Sequence, residues 1–304
     1  MIEQPVEIGD MTKKAPYARG RMLCIFCGSP GVTKEHFWGR RFARYFPDHL
    51  LRTQHHTMNL DPATWLYSVE SGRLNRRQGG LVASQLKVVC RACNEGWMRE
   101  SVHEPAAQTL KSLFLGRWPT LGLAEMLAIS RWTTLFTMIH DFTNPASLSI
   151  NPSDRAYFRE NRLPPIGWTI MIGRYSELRL DRQSAANQFG YRIVAKDGPE
   201  PIDGPNNAHT NAIAAGKIVL RSSQLPSEAE DPAEFAARYG LTIIWPAPEA
   251  FKIPPTEHDY RSFDVMATDI ARRLRLPFIS YEANALSSSK NLARPGLDLI
   301  SRRS

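Results

Sequence analysis

Two short pairs, Cys24-Ile-Phe-Cys27 and Cys90-Arg-Ala-Cys93, hold all four cysteines of this 304-residue chain. The spacing lets both thiolates of a pair reach one ion, and two pairs complete the tetrahedral sulfur shell that zinc prefers. A closed four-thiolate site is structural. Between the pairs stands Thr33-Lys-Glu35-His36, and the second pair runs directly into Asn94. An imidazole can take a proton from water near neutral pH. A carboxylate and an amide oxygen are hard donors of the kind Mg²⁺ accepts while keeping most of its waters. Those are the parts that phosphodiester hydrolysis needs, provided the thiolate-bound ion gathers His36, Glu35 and Asn94 into one pocket.

The pairs are separated by the 62 residues 28 to 89. That gap is longer than in a compact zinc ribbon and suits two knuckles closing around an insertion. Met22 to Phe26 is a short apolar run, and Cys27-Gly-Ser-Pro-Gly31 is turn chemistry, so a first knuckle is expected here. Leu81 to Val89 reads as a strand leading into Cys90, with a helix starting near Asn94 and carrying Trp97 and Met98 into the core. Phe37 to Phe46 sets aromatics and arginines at roughly helical spacing, and His55-His56 reads as loop without metal.

Past residue 104 the pattern changes. Helices are expected over 105–115, 122–141 and from Asn151-Pro-Ser-Asp154 to Glu160. Strands are expected at 168–173, 191–195, 211–221 and 241–245. Asp231-Pro-Ala-Glu234 opens a further helix that Gly240 closes; residues 260–275 form another, and the last 25 or so look irregular. Trp132, His140, Trp168, His209 and Trp245 show no spacing that implies chemistry and read as structural. The chain is therefore expected to be α+β. It divides into a basic arm (1–20), a cysteine-bearing unit (21–104, with an insertion at about 47–80) and a mixed α+β unit (105–304).

Charge is uneven. Residues 1–100 hold 15 Lys and Arg against 9 Asp and Glu, so +6 of the net +8 lies there. Arginine, which forks onto phosphate, dominates this excess, and a basic surface beside a metal site implies a polyanion such as nucleic acid. The bland reading is a solvated basic face. No apolar run approaches the ~20 residues of a membrane span, and the N-terminus lacks the basic and apolar regions of a secretion signal. Close cysteine pairs without such a signal imply a reducing, cytoplasmic setting.

The order Cys-x-x-Cys, Glu-His, Cys-x-x-Cys-Asn resembles the HNH nucleases, also called His-Me finger or ββα-metal nucleases. The closest likeness is to zinc-bearing bacterial and phage members, through Thr33-Lys-Glu35-His36 and Cys93-Asn-Glu-Gly-Trp97-Met98. The resemblance covers about residues 22–100 and implies an N-terminal zinc-stapled ββα-metal finger. It implies a metal-dependent endonuclease, DNA more often than RNA, that leaves a 5′-phosphate and a 3′-hydroxyl. Carried over by position, His36 is the general base, and Glu35 and Asn94 hold a catalytic Mg²⁺ or Mn²⁺. Cys24, Cys27, Cys90 and Cys93 hold a structural Zn²⁺. Gln85 stands where the family often has an asparagine that orients the base, and is expected to take that role less rigidly, with Asn59 or Asn75 of the insertion as the alternatives. Phe37-Trp-Gly-Arg40 stands where a proline is common after the histidine. Arg40, Arg41 and Arg44, just beyond the base, are expected to contact phosphate, with double-stranded DNA the expected partner.

Two other readings compete. A non-catalytic zinc module that binds nucleic acid or protein accounts for the cysteines and the charge, but not for Glu35-His36 and Asn94. A phage structural protein with a decayed finger is the third. For the second unit the sequence leaves three roles open: choosing the substrate, pairing two copies as a homodimer, or sensing a signal. The resemblance alone suggests a phage or anti-phage defence setting.

Overall fold

The computed structural model describes residues 22–36, 55–60, 67–68, 75–77, 85–143, 148–177, 184–191, 193, 206–273 and 286–290. The expected arm at 1–20 and the Phe37–Phe46 segment lie outside them. Among the described residues the protein is mixed α+β with antiparallel sheets.

Strand β1 (Val32–His36) runs antiparallel to β5 (Gln85–Cys90), with Val32 opposite Cys90 and His36 opposite Gln85. A bulge lies between Thr33 and Lys34. Among the described residues three strands fall between them in sequence: β2 (His55–Leu60), β3 (Tyr67–Ser68) and β4 (Asn75–Arg77). His55 and His56 thus lie on a strand, paired with Arg77 and Arg76 of β4, rather than in the loop expected of them. From Cys90 the chain passes without a gap into helix α1 (Arg91–Cys93), a π-helical stretch (Asn94–His103) and α2 (Glu104–Phe114). Gly96 kinks this run with φ −91° and ψ −117°. Residue 104, where the sequence pattern changes, lies inside it.

The larger sheet has ten strands. Its main order is β10 (Thr242–Trp245), β6 (Thr169–Tyr175), β9 (Ile218–Gln224), β8 (Ala208–Ala215), β7 (Ser184–Tyr191), β12 (Leu286–Lys290), β2 and β3. Strand β11 (Glu257–His258) lies parallel to β6, and β4 flanks β2. The strands from 55–77 therefore share a sheet with those from the second half of the chain, bridged by β12.

Alternation along the strands sends residues to two cores. Ile170, Ile172, Ile213 and Leu220 pack with α3 (Leu123–His140), while Met171, Ala212, Ala214 and Val219 pack with α5 (Pro232–Tyr239) and α6 (Tyr260–Ala267). With helices on both faces, β7 and β8 are buried along their whole length. The first core also takes in Cys24, Phe26, Val89, Cys93, Met98 and Val102, so packing is continuous from the cysteine pairs to the sheet. No helix among the described residues is long and apolar enough to cross a membrane.

Local chemistry explains most element ends. Asn151 caps α4 (Pro152–Asn161), its Oδ1 accepting from the Ser153 amide at 3.1 Å. Asp231 caps α5 in the same way, and Gly240 (φ 61°) ends it. The run 211–221, expected as one strand, is two. Gly216 (φ 58°) turns it, and a Cβ there would lie 2.6 Å from the Phe114 carbonyl. The helix expected over 260–275 breaks at Thr268, leaving α7 (Asp269–Arg273) separate. Of the strand expected at 191–195, Tyr191 is the last residue of β7 and Ile193 belongs to no strand, while residues 192, 194 and 195 lie outside the described residues.

Residues read as structural line the buried seam between α3 and the sheet. Asn211 Nδ2 lies 2.7 Å from His140 Nδ1 and donates to Gln188 Oε1, and Gln188 donates to Asp141 at 3.1 Å. His209 is fully buried against Trp168, with ring centroids 4.4 Å apart. On the other face Arg221 forks onto Glu230 with two bonds of 2.8 Å, both side chains 2% exposed, and lies over the Phe235 ring. Removing one partner of such a pair strands a buried charge. Glu230→Ala is therefore expected to cost about 3–5 kcal/mol in urea unfolding. Glu234→Ala, whose carboxylate meets Arg238 at the surface, should leave the midpoint almost unchanged.

Candidate metal centre

Both cysteine pairs meet. One ligand atom from each of Cys24, Cys27, Cys90 and Cys93 falls within 4.8 Å of the other three, and Cys27 Sγ lies 3.5 Å from Cys90 Sγ. Four sulfurs at about 2.3 Å from a tetrahedral ion would sit about 3.8 Å apart. The cluster therefore has the size and donor chemistry to hold a metal such as zinc. An ion bound there would take all four as thiolates.

The backbone dictates this convergence. The Cys24 amide donates to Ser29 O and the Gly28 amide to Cys24 O, both at 2.9 Å, which curls the first pair into a knuckle. Gly28 (φ 69°) supplies the left-handed residue that this turn requires. The Ile25 amide donates to Val88 O and fastens the knuckle to β5. The second pair sits where β5 becomes helix, so Cys90 and Cys93 lie one helical turn apart. Three thiols are buried and Cys27 is half-buried. Burial raises the Cys24 thiol and pushes Cys93 up to about 12, although the Trp97 side chain opposes the latter. Burial also acts to raise Cys27, but it is outweighed by hydrogen bonds from Ser29 and the neighbouring thiols, which bring it to about 6.

Aromatic packing locks the helix beneath the cluster. Trp97 meets Phe26 edge-on at 5.2 Å and Phe158 at 5.7 Å, and the Arg162 guanidinium lies 4.4 Å over its ring. Arg155, itself buried, donates to Ile25 O and ties the knuckle to α4.

The other sequence candidates that are described lie on β1, on β5 and at the start of the helical run. Glu35 is 3% exposed on β1 and follows the solvent-exposed Lys34. Its Oε1 lies 3.4 Å from His103 Nε2. In the sequence His103 follows the cysteine pair too late to be placed by spacing, and the fold sets it beside Glu35. Asn94 follows Cys93 directly, is half-buried, and its amide donates to Arg91 O. His36 ends β1, and the register sets its backbone opposite that of half-buried Gln85. Arg40, Arg41 and Arg44 lie outside the described residues.

Metal analysis of the purified chain is expected to find one tightly held ion per molecule. Cys90→Ser should lose it and lower the melting temperature by roughly 10 °C or more, since such an ion contributes directly to folding. A variant that stays fully stable without metal would contradict the four-thiolate assignment. Comparison with protein-family models, with curated proteins and with solved structures returns no match.

Proposed function

We infer that the protein is a metal-dependent endonuclease of HNH type, hydrolysing nucleic-acid phosphodiester bonds, with double-stranded DNA the favoured substrate. The observation that carries the reading is the connectivity around the cysteine cluster. A two-stranded sheet whose first strand ends in Glu35-His36 passes through Cys90 and Cys93 into a helical run beginning at Asn94. Zinc in the four-cysteine centre is structural in this reading: it holds the strand end against the helix start.

The His36 imidazole accepts a proton from the attacking water, which then adds to phosphorus opposite the departing 3′-oxygen. Gln85, opposite in register, steadies the strand that carries the base. The Glu35 carboxylate and the Asn94 amide oxygen would hold a Mg²⁺ or Mn²⁺ ion. Such an ion, when bound, supplies positive charge to the scissile phosphate and the leaving oxygen. Arg40, Arg41 and Arg44 hold flanking phosphates in place. A cytoplasmic, reducing setting keeps the thiols available for metal. The second half of the chain selects the substrate, pairs two copies or reads a signal.

One observation favours a second reading. Glu35 is almost wholly covered and faces His103, which suits a non-catalytic zinc module that binds nucleic acid or protein. A plasmid-nicking assay separates the two. Wild type is expected to nick in Mg²⁺ or Mn²⁺, and His36→Ala to nick at least about 10²-fold more slowly with its zinc content unchanged. Nicking that survives this substitution means another base; no cation-dependent nicking by wild type leaves the binding module.

A further inference from the structure

His103 closes the π-helical stretch, and its imidazole faces β1. Its side chain is 13% exposed and that of Glu35 4%. Neither ring nitrogen has a hydrogen-bond partner among the described residues, and both are sealed from solvent. Nε2 nonetheless lies 3.4 Å from Glu35 Oε1.

A charge-assisted hydrogen bond would draw these atoms to about 2.7–2.9 Å, with the N–H aimed at the oxygen. Two donors sharing one ion are held differently. Adjacent donors on one octahedral ion, with bonds of about 2.1 Å at right angles, sit about 3.0 Å apart, with lone pairs rather than a proton directed into the gap. A buried imidazole without hydrogen bonds is costly by itself. An ion shared with the carboxylate satisfies Nε2 and offsets the buried negative charge together. The setting agrees, because π-helical turns are rare and occur frequently at functional sites.

We propose that His103 and Glu35 are co-ligands of a divalent cation other than the one in the four-cysteine centre, and that the imidazole makes this site favour Mn²⁺ over Mg²⁺. The inference rests on the reading of Glu35 as a ligand of the cleavage ion, and extends it by a residue and by the identity of the metal. His103 is then a ligand from the helical run meeting a ligand from β1.

Mn²⁺ is the probe, because it is paramagnetic and competes poorly for thiolates already holding zinc. Zinc-replete full-length protein is titrated with Mn²⁺, with free ion followed by its EPR signal and bound ion by electron spin-echo modulation. One Mn²⁺ per chain is expected, with the nitrogen coupling of an imidazole. His103→Ala should weaken binding about 10-fold or more and abolish the coupling, while His36→Ala keeps it. If His103→Ala does not retain zinc and fold, His103→Gln replaces it, since an amide side chain gives no imidazole coupling. A wild-type spectrum without nitrogen coupling, or coupling that persists when His103 is replaced, overturns the inference. The two readings fail separately. Imidazole-bound Mn²⁺ without nicking leaves this site standing and removes the cleavage reading. Mg²⁺-supported nicking that ignores His103, with no imidazole-bound Mn²⁺, does the reverse.

Discussion

Four sulfur atoms within 4.8 Å of one another constrain everything around them. Two come from a knuckle at residues 24–27 and two from the point where β5 turns into helix, so a shared ion would fix three local structures at once. The constraint is effective because the pairs belong to stiff pieces. The knuckle is closed by its own hydrogen bonds, and the second pair sits on a helical turn. Neither pair can shift without moving β1, which is hydrogen-bonded to β5 along five register positions.

The centre is also part of the main core. Cys24, Cys90 and Cys93 pack with Met98 and Val102, and through them with α3 and the ten-stranded sheet. The Phe26–Trp97–Phe158 stack and the Arg155 bond to the knuckle join the cysteine-bearing region to α4. The sheet in turn draws strands from 55–77 and from 286–290. An element of this size buries little apolar surface by itself, and continuity with a larger core is one physical remedy. The same continuity brings His103 against Glu35.

Legibility in the sequence followed the range of the interaction. Helices α2, α3, α4 and α5 were readable because their signals are local: apolar periodicity, Asn151 and Asp231 as caps, Gly240 as a stop. The division of 211–221 into two strands turned on Gly216, whose need for a positive φ is legible only once the Phe114 carbonyl is seen against it. Strand β12 was read as irregular because Leu286-Ser-Ser-Ser-Lys290 has no alternating apolar face. It is a strand because β7 and β2 offer open ladders on both sides. His55 and His56 were read as loop for a similar reason, and β4 supplies the ladder that makes them strand.

The sequence by itself determined the four thiols and their grouping into two close pairs. It could do so because residue type and close spacing fix what a short segment can ligate. Only the tertiary structure decided that the pairs converge across 62 intervening residues, that Glu35 is buried, and that its neighbour is His103. Those facts depend on strand register, on the kinked π-helical run and on packing between distant segments. Such contacts are set by the total burial of the folded chain and leave no periodic trace along it.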